Sequence, residues 1–156
     1  MHNSTTEREE EDNDSKMLFN LEIMYRNAVS LSRGTLVDIT IGRFGTDDLL
    51  YYTADSARHL RRLRLQCCRL CILESILIAV ARKLPLLEEL EITNCYHFLP
   101  MELALKAIGR CCPLLKSLKL NKKTYPYAKF DGDAFAIAQS HKPCLRYAIS
   151  SFSETG

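Results

Sequence analysis

The chain has 156 residues, of which 47% are hydrophobic and 26% are charged. This length suits one ordinary domain, and the apolar fraction is large enough to build a core, so a chain that is disordered throughout is excluded. The longest aliphatic run, residues 76–81, is far too short to span a bilayer, so no membrane anchor is expected. The formal net charge is only +2, but it is unevenly distributed.

The chain begins with a polar, acidic stretch. Residues 1–16 hold six acidic and two basic residues, a net charge of −4, which leaves +6 for residues 17–156. Because almost no residue here could be buried, the composition predicts a disordered, solvated tail over residues 1–18. The stretch lacks the apolar core of a signal peptide and the arginine-rich, acid-poor composition of a transit peptide, so we expect the cytoplasm or the nucleus.

A Leu-x-x-Leu-x-Leu pattern recurs from residue 36 onward. Its copies begin 24, 27, 28 and 30 residues apart, close to the roughly 20–29 residues of a leucine-rich repeat. Two copies are followed by a cysteine three places after their last apolar position, at Cys68 and Cys95. The copies are LVDITI from Leu36, LRRLRL from Leu60, LEELEI from Leu87, LKSLKL from Leu115 and a degraded LRYAIS from Leu145.

Segments with helical spacing alternate with these short strands. Thr46 or Asp47 can accept the free amide bonds of a first helical turn, and Pro100 suits a first helical position, where its missing N–H would be unpaired anyway. Pro85 and Pro113 are expected to end the second and third helices. The four predicted helices begin at Thr46, Leu73, Pro100 and Asp131.

Each unit therefore consists of a strand, a turn, a helix and a second turn. One such unit cannot bury both its apolar strand face and its apolar helix face, so neighbouring units must stack. The sequence predicts an α/β fold, a short right-handed leucine-rich-repeat solenoid with parallel β-strands on the concave face and α-helices on the convex face. We expect about four to five repeats over residues 19–150, followed by a disordered end at 151–156.

The residues between the leucines of each strand are predicted to line the concave face. Stacked strands would bring equivalent positions about 4.8 Å apart and so align them in rows across the sheet. Arg146, Tyr147 and Ile149 of the fifth strand are predicted to extend these rows. Arginine, glutamate and lysine then alternate and neutralise one another, which disfavours nucleic acid and favours a protein partner. Exposed pairs of this kind contribute only about 0–1 kcal/mol each. The candidate partner-binding residues are Arg61, Arg62, Arg64, Glu88, Glu89, Glu91, Lys116 and Lys119.

The seven cysteines do not form a convincing metal or disulfide pattern. Only Cys68 and Cys71 have Cys-x-x-Cys spacing, and the four histidines show no paired ligand spacing, so no metal is expected. An odd cysteine count in a chain without a signal peptide also argues against a disulfide framework. We therefore expect most of the cysteines to be buried thiols that pack as small hydrophobic residues.

No cofactor or catalytic motif is apparent. GRFGTDD at residues 42–48 has the spacing of neither a Walker loop nor a dinucleotide fingerprint, and is interpreted as a turn between a strand and a helix. DGD at residues 131–133 lacks the remaining ligands of a calcium loop and is better explained as an acidic helix start. No motif places a serine, a histidine and an acid together, so an enzyme is not expected.

Three stretches resemble a known family: LVDITIGRFGTDDLLYYTADSARHLRRLRLQCC, LPLLEELEITNC and AIGRCCPLLKSLKLN. They are similar to the cysteine-containing repeats of plant F-box/leucine-rich-repeat proteins, the SKIP-like group, over about Leu21 to Asn121. In that family an N-terminal F-box docks the Skp adaptor of an SCF ubiquitin ligase, and the repeat domain selects the protein to be ubiquitinated. The resemblance implies a substrate-recognition module, and a repeat scaffold without a ligase connection is the alternative.

The F-box half of the resemblance is not matched. An F-box opens with a Leu-Pro pair and commonly closes near a tryptophan, whereas the residues before Leu21 are mostly polar or charged and the chain has no tryptophan. The expectation of a contact with the Skp adaptor is correspondingly weaker. A truncated gene product, a divergent paralogue and a repeat-only protein that binds the same clients all remain open.

Overall fold

The computed structural model describes residues 3–66, 74–96, 102–123 and 146–152. Within them, helices and strands alternate along the chain, as the repeat pattern predicts. The elements are α1 Asn3–Leu31, β1 Asp38–Ile41, α2 Asp47–Ser56, β2 Arg62–Gln66, α3 Glu74–Lys83, β3 Glu89–Tyr96, α4 Glu102–Cys111, β4 Ser117–Lys123 and β5 Arg146–Phe152.

The five strands form one parallel sheet in which the spatial order equals the order along the chain. The helices pack in the same sequence, α1 on α2, α2 on α3 and α3 on α4. The predicted α/β class and the parallel sheet are therefore confirmed.

The leucines of the repeat pattern form the core. Leu63 and Leu65 of β2 are each 1% exposed, whereas their neighbours Arg62 and Arg64 are exposed or half-buried. This is the period-two alternation of a strand with one buried face. Helices α2, α3 and α4 cover that face with Leu49, Leu50, Leu77, Val80, Leu105 and Ile108.

Neighbouring units are joined in register just before each strand begins. The carbonyl of Val37 accepts N–H bonds from Arg61 and Arg62, at 2.8 and 3.0 Å. The Arg61 carbonyl does the same for residues 88 and 89, and the Glu88 carbonyl for residues 116 and 117. Because this geometry repeats, equivalent residues of successive units stay aligned.

Helices α2, α3 and α4 begin within one or two residues of the predicted starts, although Pro100 itself lies outside the described residues. Thr46, and not Asp47, caps α2, because its hydroxyl accepts the N–H of Leu49 at 3.1 Å. Helices α3 and α4 end two residues before Pro85 and Pro113, as expected for residues that cannot continue a helix. The interpretation of residues 42–48 as a turn is also confirmed by the 2.9 Å bond from the Gly45 N–H to the Gly42 carbonyl.

The acidic start of the chain differs from the prediction. In place of a disordered tail over residues 1–18, a single helix, α1, runs from Asn3 to Leu31. Residues 5–13 are exposed, so this part is solvated as expected, but it is helical. Glutamate, lysine and arginine are good helix formers, and Lys16 pairs with Asp12 one turn earlier at 2.7 Å.

The fifth strand is shifted by one residue from the predicted register. Ser117 pairs with Arg146, whereas the alignment of LRYAIS on Leu145 predicts Tyr147 as its partner. A one-residue shift exchanges the two faces of a strand. Tyr147 and Ile149 therefore align with the core positions Leu118 and Leu120, and the predicted extension of the charged rows by Tyr147 and Ile149 is wrong. The strand also continues to Phe152, into the predicted disordered end.

One buried thiol is confirmed. Cys112 is 0% exposed, and its Sγ lies 3.5 Å from the Leu84 carbonyl and 3.7 Å from the Ala81 carbonyl of the preceding unit. Cys111 is half-buried, and neither forms a disulfide. The side chains of the other five cysteines, and the helix predicted from Asp131, lie outside the described residues.

Candidate protein-binding surface

The eight predicted residues come together on the side of the sheet opposite the helices. Asp38, Arg62, Glu89 and Ser117 are Cα partners across four strands, and so are Thr40, Arg64, Glu91 and Lys119. The row that precedes the strands holds Val37, Arg61, Glu88 and Lys116, aligned by the backbone bonds described above. We call this surface the charged face; its ionic members are Asp38, Arg61, Arg62, Arg64, Glu88, Glu89, Glu91, Lys116 and Lys119.

The first row is a chain of three alternating charges. Arg61 Nη1 lies 3.2 Å from Glu88 Oε1, and Lys116 Nζ lies 3.4 Å from Glu88 Oε2. Glu88 is the best covered of the three, with a side chain 25% exposed against 56% for Arg61 and 70% for Lys116. The two outer cations therefore remain open to solvent and to a partner.

The other rows meet at Asp38. Its Oδ1 accepts a bond from Arg64 Nη1 and its Oδ2 lies beside Arg62 Nε, each at 2.8 Å. Arg64 also approaches Glu91 at 3.9 Å, and Lys119 pairs with Glu91 at 3.1 Å. Asp38 is not among the eight predicted residues, although its place beside Arg62 in the repeat alignment is a signal that points to it.

Glu89 departs from the predicted neutralisation. It is exposed, and within the described residues no ion pair engages it. Its neighbour Arg62 turns to Asp38, and the residue on its other side, Ser117, is uncharged. The centre of the charged face therefore presents a carboxylate that is available to a cation or a hydrogen-bond donor.

The charged face carries three parallel stripes of alternating sign. Residues 61–64 supply three arginines, residues 88–91 supply three glutamates and residues 116–119 supply two lysines. Such a surface can form ion pairs and hydrogen bonds with groups of both signs, and complementary charge governs the rate and selectivity of association more than its strength. In the described part of the chain, no three His, Cys, Asp or Glu side chains are grouped as a metal site would require.

Comparison with known proteins gives similar sequences from Arabidopsis thaliana. The F-box protein SKIP19 is 47% identical over 90% of this chain, and the putative F-box/LRR-repeat protein 9 is 38% identical over 92% of it. The putative F-box/LRR-repeat protein 23 is 42% identical over 83% of the chain.

This chain is a relative of the plant F-box/LRR-repeat proteins. The resemblance inferred from the sequence is thereby confirmed. This chain spans only part of the length of each of these proteins, namely 45% of SKIP19, 28% of protein 23 and 58% of protein 9. No protein-family model matches the chain, and no solved structure matches it. Among the described residues, no helix is long and apolar enough to cross a membrane.

Proposed function

We propose that this F-box/LRR relative is a protein-interaction module that acts as the substrate-recognition part of an SCF-type ubiquitin ligase. In this proposal, residues 19–150 form a leucine-rich-repeat solenoid and the charged face lies on the inside of its curve. Two findings support it: the similarity to proteins named F-box or F-box/LRR-repeat, and the in-register stacking of strand–helix units.

The observation that carries the proposal is the charged face itself. On the charged face, the stripe of glutamates lies between the stripe of arginines and the stripe of lysines, with about 4.8 Å between neighbouring strands. A phosphate backbone attracted by either cationic stripe would also meet the glutamates. A protein surface can carry both signs of charge, so it is the class of partner that this face fits best.

A charge-reversal experiment tests the proposal. The chain and a variant with Arg61, Arg62 and Arg64 all changed to Glu are expressed in plant cells as proximity-labelling baits. Proteins labelled by the wild type and lost with the variant are the candidate clients, and their abundance should rise when the proteasome is inhibited. Arg82→Glu, an exposed reversal on α3, is the matched control and should keep the same labelled set.

The ligase connection is tested separately. Purified Skp adaptor is passed over the immobilised chain at a salt concentration that removes nonspecific contacts. Retention supports membership of a ligase, and lack of retention favours the repeat scaffold without a ligase connection. A duplex DNA or RNA probe should show no binding that weakens steeply with salt; such binding would contradict the proposal.

A further inference from the structure

Helix α1 carries an exposed apolar stripe along its second half. The stripe consists of Met17, Leu21, Met24, Ala28 and Leu31, spaced 4, 3, 4 and 3 residues apart. The four large side chains are 50%, 38%, 66% and 80% exposed in chain order. This spacing is that of the a and d positions of a coiled coil, which place one continuous seam on one side of a helix.

The stripe is separate from the surface that attaches α1 to the rest of the fold. On that inner side Val29 is 2% exposed, the rings of Tyr25 and Phe44 lie 5.5 Å apart, and the Arg26 guanidinium lies 4.8 Å from the centre of the Tyr52 ring. The helix is thus anchored on one side and presents an apolar seam on another. A clustered apolar surface of this kind marks an interaction site more often than scattered exposed residues do.

The charges beside the stripe indicate what packs on it. Before Met17 the helix continues as an exposed acidic rod, since residues 1–16 carry a net charge of −4. Beyond Leu31 two arginines, Arg33 and Arg58, are exposed. His59 adjoins the same end of the helix, where its Nδ1 lies 3.0 Å from the Gly34 carbonyl. One chain therefore carries opposite charges at the two ends of the stripe.

We propose that a second copy of this chain packs antiparallel along the α1 stripe. In an antiparallel pair the acidic rod of each copy lies beside the cationic end of the other, and this arrangement occurs twice by symmetry. A parallel pair would instead place the two acidic rods side by side. Met24, seven residues from both Met17 and Leu31, then lies close to the two-fold axis.

Sedimentation velocity over a range of concentrations tests the dimer. The wild-type chain should approach twice its 17.8 kDa mass at high concentration. Met24→Glu should raise the dissociation constant by on the order of thirtyfold, the size of a hot-spot loss, because two carboxylates would meet at the axis. Ile23→Glu, the same change from an apolar to an acidic side chain on the same helix but off the stripe, should leave the dissociation constant within about twofold.

Cross-linking tests the orientation. Chains with Met17→Cys are mixed with chains carrying Leu31→Cys and oxidised mildly, and the linked peptides are identified by mass spectrometry. A 17–31 link is expected, and a 17–17 link would overturn the antiparallel arrangement. A wild-type chain that stays monomeric at every concentration, or equal loss of dimer in both glutamate variants at unchanged melting temperature, would overturn the proposal itself.

Discussion

Glu74, in the first turn of α3, caps the next helix along the chain. Its Oε1 accepts the N–H of Leu103 at 2.8 Å and that of Ala104 at 3.0 Å, at the start of α4. One carboxylate thus satisfies two of the amide groups that a helix start leaves unpaired, and it places a negative charge at the positive end of the helix dipole. This contact couples two successive units, and the sequence alone does not reveal it.

Glu74→Ala should lower the free energy of unfolding by about 1–2 kcal/mol. Loss of a cap costs about 0.5–2 kcal/mol, and a charge at a helix end contributes about 0.3–1 kcal/mol. Leu103 is 61% exposed, so water replaces part of the lost bonding and the sum stays below the combined upper limits. Glu74→Gln keeps an oxygen acceptor without the charge, so its cost should be smaller, about 0.5–1 kcal/mol.

Urea denaturation followed by circular dichroism measures these differences. The matched control is Glu89→Ala, which removes an exposed carboxylate that is unpaired within the described residues and should change stability by no more than about 0.5 kcal/mol. Equal midpoints for Glu74→Ala and Glu89→Ala would refute the capping role. A Glu74→Gln variant as unstable as Glu74→Ala would show that charge, and not hydrogen bonding, is what Glu74 provides.

Three further predictions follow from particular contacts. The hydrogen bond and ion pair between Lys83 Nζ and Asp55 Oδ1, 2.6 Å apart, lower the pKa of Asp55 and raise the pKa of Lys83. Asp55→Asn should therefore destabilise the protein at neutral pH, and urea titrations should show the difference fading as pH falls through the Asp55 pKa or rises through the Lys83 pKa. Leu63→Ala, at a site 1% exposed, should cost about 2–5 kcal/mol in the same assay, and a cost below 1 kcal/mol would contradict its core position. A double-mutant cycle on Asp38 and Arg64 should give a coupling of about 0.2–1 kcal/mol that salt weakens; a salt-independent value would show a buried pair instead.

The repeat period predicted the sheet because the same alternation of apolar and polar residues recurs in each unit. Leu63, Leu90 and Leu118 are Cα partners in successive strands, at the spacing read from the sequence. The charged rows need no further information, because the register of a strand determines the side of the sheet on which each of its residues lies. Where the pattern is strong, sequence alone gives both the core and the candidate site.

The failures occur where the pattern is weak. LRYAIS keeps only one of the three leucines of the pattern. An alignment that rests on Leu145 alone does not determine the register of this strand, and the predicted register is wrong by one residue. The first half of α1 has too few apolar residues to show a period, and composition cannot distinguish a solvated helix from a disordered tail. The link from Glu74 to α4 was also out of reach, because it depends on where two helices lie relative to each other.

The internal ion pairs of the charged face determine how a partner can use it. A partner carboxylate that takes Arg64 must displace Asp38, which already lies 2.8 Å from it, so an existing pair is exchanged for a new one. Exchange of exposed pairs contributes little affinity, since each is worth only about 0–1 kcal/mol. A partner with the wrong sign, however, would leave Glu89 or an arginine against a like charge. Under the proposed function, the charged face would therefore select the partner, and strong binding would draw on apolar contacts nearby, such as one with Val37, which is 42% exposed at the end of the first row.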